Sequence, residues 1–121
     1  MTTIDSISEN NRKIIQDYFL VMWNQRDAAL TDQLVAENYI HHKPDGDTHG
    51  SEHIKNVMKK VFEKFPDIQF TIKHILADGE MVSTYLEGKG TDKDSGEVTY
   101  FKEAFFHRIK DGKIIEGWIV Y

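Results

Sequence analysis

The hydrophobic period of this chain changes once, at Pro66, and that change limits the fold more than any other feature. Before it, apolar residues recur at helical spacing. Ile54, Val57, Met58, Val61, Phe62 and Phe65 step by three and one in turn, which draws an apolar stripe along a helix from Ser51 to Phe65. Pro66 cannot continue that helix and drives its predecessor toward extended geometry. After it, Ile68, Phe70, Ile72, His74 and Leu76 alternate with Gln69, Thr71 and Lys73, the period of a strand with one buried face.

The remaining elements follow the same logic. Ser8 caps a first helix that runs to about Gln25, with Ile14, Ile15, Tyr18, Phe19, Met22 and Trp23 on its apolar side. Residues 1–7 are expected to form a loose arm. A short second helix spans about Asp27 to Val35, and Tyr39–Ile40 is a short extended piece. Residues 43–50 read as a loop. Three further strands, Met81–Gly90, Val98–Ile109 and Ile114–Tyr121, are separated by turns at Asp78–Gly79, Asp92–Gly96 and Asp111–Gly112. Short hairpins require antiparallel neighbours, and helices segregated from strands imply an α+β class. Strands this long twist and curve around the N-terminal helices, leaving room for an internal pocket.

A chain of 121 residues makes one domain, residues 1–121, with enough length for a real core. It has no cysteine, which removes disulfides, thiolate metal sites and a cysteine nucleophile, and fits the cytoplasm. The N-terminus has neither a basic start nor an apolar run, so no signal peptide is expected. The longest apolar run, Tyr18 to Trp23, is far short of a membrane span. Net charge is −5, with 20 acidic residues against 15 scattered lysines and arginines. An acidic domain of this kind lacks the basic footprint that nucleic acid or anionic membranes require.

A set of segments in fixed order carries a family resemblance. The set begins with Trp23-Asn24 and Asp27, then Ala36-Glu-Asn-Tyr-Ile-His-His-Lys-Pro44, Gly50-Ser-Glu-His-Ile-Lys55 and Phe65-Pro-Asp67. It ends with Gly88-Lys-Gly-Thr91 and Phe106-His-Arg-Ile-Lys-Asp-Gly-Lys-Ile-Ile-Glu-Gly-Trp118. Together they resemble the SnoaL-like polyketide cyclases of the nuclear-transport-factor-2-like superfamily. The resemblance implies a cone-shaped barrel whose helices cap a curved sheet, a cavity open at one end, and homodimers through the outer sheet face. It implies acid–base chemistry by a carboxylate and a histidine in an apolar cavity, with no cofactor. The carboxylate slot follows Trp118 and is held here by Ile119, and the histidine slot is held by Phe105. Neither replacement transfers a proton.

Alternation on the strand Val98–Ile109 puts Phe101, Glu103, Phe105, His107 and Ile109 on one face, which the resemblance makes the inner one. Glu103 and His107 are then about 13 Å apart along the strand, able to touch one ligand but not each other. On the last strand Ile115, Gly117, Ile119 and Tyr121 share the inner face, with Glu116 and Trp118 on the other. The candidate catalytic residues are Glu103 with His42 or His107, and the candidate ligand-binding residues are Tyr18, Trp23, Phe105 and Ile119. Structural roles compete at each: an inward polar residue is more often simply satisfied, and an aromatic stripe is more often core. His41, His42, His49 and His53 cluster as a metal site would, but His49 precedes the helix that carries His53, and no metal is expected. Two functions follow. One is a cofactor-independent isomerase, cyclase or hydrolase acting on a small hydrophobic molecule. The other is a non-catalytic small-molecule binder or dimeric accessory domain.

Overall fold

The computed structural model describes residues 4–120. The order of elements is α1 (Ile4–Gln16), a π-helical segment (Asp17–Trp23), a 3-10 turn (Ala28–Leu30), α2 (Thr31–Leu34), β1 (Val35–Lys43), β2 (Gly46–His49), α3 (Ser51–Lys64), β3 (Gln69–Asp78), β4 (Met81–Thr91), β5 (Val98–Lys110) and β6 (Lys113–Val120). The α+β class holds, with the helices against one face of a six-stranded sheet. Its order is β2-β1-β6-β5-β4-β3. All neighbours are antiparallel except β1 and β6, which run parallel, so the sheet is mixed. β2 and β3 are its two free edges, so the sheet is open and not the closed barrel that the resemblance implied.

Several local expectations are corrected. The first helix begins by Ile4, so of the expected loose arm only residues 1–3 lie outside the described residues. Ser8 is not its cap: the Gly79 N–H donates to the Ser8 hydroxyl at 2.9 Å, and the Asn11 amide donates to the Gly79 carbonyl at 2.8 Å. One face of α1 thus grips the β3–β4 turn. The extended piece at Tyr39–Ile40 is a nine-residue strand, and the expected loop contains β2, its hairpin partner.

Two bulges account for the misplaced side chains. β3 pairs with β4 in register except between Ile72 and His74, where Lys73 is extra. The slip reverses the alternation. Ile72 packs against the core, but beyond the bulge Ile75 and Ala77 face inward, and Leu76 is 72% exposed. In β6, Glu116 pairs with Arg108 and Ile114 with Ile109, so Ile115 is extra. The inner set is therefore Ile114, Gly117 and Ile119, not Ile115, and Tyr121 lies outside the described residues. On β4, Val82, Thr84 and Leu86 are buried, which puts Ser83, Tyr85 and Glu87 on the outer face.

The core joins Ile15, Phe19 and Met22 from the first helical stretch, Ile54 and Met58 from α3, and Val82, Leu86, Ile109 and Ile114 from the sheet. Asn24 ties the two layers. Its side-chain amide donates to the Phe70 carbonyl at 2.9 Å, and its carbonyl oxygen accepts from the Phe70 N–H at 2.8 Å. This amide stands in for a neighbouring strand at the start of β3. Asn24→Ala leaves both backbone groups without that partner. We expect it to lower unfolding stability by about 2 kcal/mol, read as a lower urea midpoint with an unchanged slope.

Candidate functional site

The π-helical segment shapes the site. Its backbone bonds span five residues, from the Asn24 N–H to the Phe19 carbonyl and from the Asp27 N–H to the Met22 carbonyl. Tyr18 and Trp23, five apart, then project to the same side. They line a cleft with His41 of β1, His53 of α3, Phe105 of β5 and Ile119 of β6. The cleft has a volume of about 100 Å³. Burial pushes the Tyr18 phenol up to about 12, so this hydroxyl stays protonated.

His41 is oriented by Tyr39, whose hydroxyl lies 2.9 Å from His41 Nδ1. Tyr39 is buried, and its hydroxyl rests where a side chain on Gly117 would sit. Burial, with the positive charges of His53, Lys43 and His42, lowers His41 to about 4. Burial, together with Lys43 and Lys60, also lowers His53. Both imidazoles are neutral at pH 7 and can accept a proton or a hydrogen bond from a bound molecule.

Glu103 lies in an adjoining hollow of about 210 Å³. Trp23 and Val57 form walls of both spaces. Besides Glu103, the second hollow is lined by aromatic and aliphatic side chains, among them Phe65, Phe70 and Phe101. No described residue hydrogen-bonds or ion-pairs with the Glu103 carboxyl, and burial raises its pKa. A carboxyl in such a place exchanges protons nearer neutrality than one in water. The Trp23 indole N–H passes near the Tyr18 hydroxyl but completes no hydrogen bond.

The two sequence-nominated histidines are not brought to these spaces. His107 shares the inner face with Glu103, but it is 1% exposed and packed among Tyr18, Phe19 and Phe105. Its Nδ1 has no partner, and burial lowers its pKa to about 3. It is a sealed core residue and lines neither space. His42 lies on the opposite face of β1 from His41. Its Nδ1 is 2.9 Å from Asp47 and its Nε2 is 2.7 Å from Glu116, and its ring stacks on Trp118 at 5.0 Å between centroids. The Glu116 and Asp47 carboxylates raise its pKa. His42 therefore fastens β2 to β6 on the outer face.

Tyr18, Trp23, Phe105 and Ile119 converge on one cleft, and Glu103 adjoins it. His41 and His53 were considered only as metal ligands. The missed signal was Tyr39: once β1 is seen as a strand, period two puts His41 beside the buried Tyr39 and turns His42 away. No three His, Asp or Glu side chains converge as a metal site among the described residues. Nor is any described helix long and apolar enough to cross a membrane.

The buried imidazoles set a pH dependence. Their folded pKa values lie below the usual histidine value of 6.5, so between about pH 3 and pH 6.5 the unfolded chain binds a proton that the folded chain does not. Stability is fully present above pH 6.5 and is lost as pH falls through this window. His107 alone accounts for about 2 kcal/mol at pH 5. Urea titrations at pH 5 and pH 7 should show this loss, and His107→Leu should shrink it.

The comparisons with known proteins agree with this geometry. No curated protein matches the chain. Among solved structures, a candidate SnoaL-like polyketide cyclase from Jannaschia sp. CCS1 superposes with a TM-score of 0.87 at 15% identity, covering 99% of this chain and 90% of that one. A candidate polyketide cyclase from Bacillus cereus ATCC 10987 is 28% identical with a TM-score of 0.81, over 92% of this chain and 73% of that one. IdmH from Streptomyces antibioticus, also described as a candidate polyketide cyclase, is 23% identical with a TM-score of 0.81, over 91% and 90%. The family model for SnoaL-like polyketide cyclases matches residues 13–121. With that match spanning helices, cleft and sheet, the chain belongs to the SnoaL-like polyketide cyclase family.

Proposed function

We propose that this chain receives a small, mostly apolar organic molecule between its helices and the inner sheet face, and that Glu103 exchanges a proton with it without a cofactor. The carrying observation is the unpartnered Glu103 carboxyl in an otherwise apolar hollow, with its pKa raised by burial. His41 replaces His42 and His107 as the histidine partner, because it lines the adjoining cleft, is neutral, and is held in orientation by Tyr39. Phe105 and Ile119 are apolar walls. The family name supports cyclase chemistry on a carbonyl compound, and isomerase or hydrolase chemistry on an epoxide or lactone would call on the same acid–base group.

A second reading, a binder without chemistry, is favoured by one observation. Both slots to which the resemblance assigns proton transfer hold apolar residues, and both line the cleft. Turnover of a panel of small carbonyl, epoxide and lactone compounds separates the two. Glu103→Gln should lower kcat by about a hundredfold or more with KM changed little. Binding without turnover by the unaltered protein establishes the binder. Equal turnover by Glu103→Gln removes the acid role.

We also propose that two copies associate through the outer sheet face, in a compartment suited to a cysteine-free chain, such as the cytoplasm. One row across β3, β4, β5, β6 and β1 carries Leu76, Ser83, Phe106, Trp118 and His42, and Leu76 and Phe106 are exposed. That row offers apolar area at its centre, flanked by charges of both signs at Arg108 and Glu116. Sedimentation at micromolar concentration should give twice the 14.1 kDa chain mass, and Phe106→Glu should give the single chain. A monomer before substitution refutes the association.

A further inference from the structure

We infer that the occupant of the Glu103 hollow carries a compact substituted ammonium group. The inference rests on the reading that this hollow receives a small molecule, and it names the chemistry of the end that enters. Four aromatic side chains, Trp23, Phe65, Phe70 and Phe101, line the same space as the one carboxyl. They form two nearly perpendicular pairs: Trp23 with Phe70, 5.7 Å between centroids at 88°, and Phe65 with Phe101, 5.2 Å at 82°. In each pair the edge of one ring meets the face of the other, so the four rings bound the hollow on planes of different tilt. The negative faces of such rings attract a cation whose own hydration is weak.

The carboxyl supplies what rings alone lack. Glu103 has no hydrogen-bond or ion-pair partner among the described residues, so its charge in this hollow is uncompensated. The nearest lysine to these rings, Lys64, places Nζ 5.6 Å from the Phe65 centroid, but its side chain is 64% exposed and does not line the hollow. An occupant with a positive charge and a greasy surface satisfies the carboxyl and the rings together. A neutral hydrocarbon satisfies the rings only. A hydrated primary ammonium would lose its water shell without enough hydrogen-bond acceptors to replace it. At about 210 Å³ the hollow suits a head group of the trimethylammonium kind, with the rest of the molecule extending past Trp23 toward His41 and His53.

The test compares choline with 3,3-dimethylbutan-1-ol, its neutral isostere in which carbon replaces nitrogen. Trp118→Phe leaves Trp23 as the single tryptophan, so its fluorescence reports the hollow, and calorimetry on the unaltered protein gives an independent affinity. Choline should bind about tenfold more tightly than the alcohol. Glu103→Gln should reduce that preference severalfold, leaving the part that the rings supply. Equal affinities, or tighter binding of the alcohol, overturn the ammonium inference and leave the small-molecule reading standing. A choline preference undiminished in Glu103→Gln overturns the role of the carboxyl. Failure of both probes to bind the unaltered protein overturns both this inference and the reading beneath it. The comparison of the two probes needs no variant, so it stands even where Glu103→Gln folds poorly.

Discussion

The parallel junction of β1 with β6 holds the two halves of this molecule together. Everything C-terminal to Pro66 can pair by hairpins alone. Only β1 brings the N-terminal half into the sheet, and it does so beside Gly117. A Cβ at that position would collide with the Tyr39 hydroxyl and crowd the His107 ring at 3.0 Å. The absent side chain is what lets Tyr39 lie flat across β6, and Tyr39 in turn orients His41. One missing methyl group thus links sheet assembly to the geometry of the cleft.

The same junction separates two adjacent histidines into different tasks. His41 goes inward, loses solvent and becomes neutral. His42 goes outward between two carboxylates, which favour its protonated form. Burial and charge pairing act in opposite directions on the same side chain type one residue apart. Such a division cannot be seen from the dipeptide alone, because it depends on which neighbour belongs to the buried face.

Long-range periodicity was legible and local departures from it were not. The helix before Pro66 and the hairpins after it are visible as changes of period, and the inward face of β5 follows from strict alternation through Glu103, Phe105 and His107. Lys73 and Ile115 break that pattern in the neighbouring strands, and nothing in their chemistry announces a bulge, since each is an ordinary strand residue whose partner happens to slip. β2 was missed because Gly46-Asp-Thr-His has the composition of a loop and is held as a strand mainly by pairing with β1. His107 is a different case. Facing inward and facing a cavity are separate properties, and only packing by Tyr18, Phe19 and Phe105 decides between them.

The π-helical segment also bears on how this lineage can change. In a regular α-helix five steps of about 100° would leave Tyr18 and Trp23 about 140° apart, with one of them turned away from the cleft. The wider winding absorbs the surplus and aligns them. The surplus residue is therefore silent at the cleft: losing one residue between positions 18 and 23 would restore ordinary winding and leave the two aromatics four steps, about 40°, apart on the same side. A relative whose helix lacks that residue can keep both this architecture and the same two aromatics in the cleft.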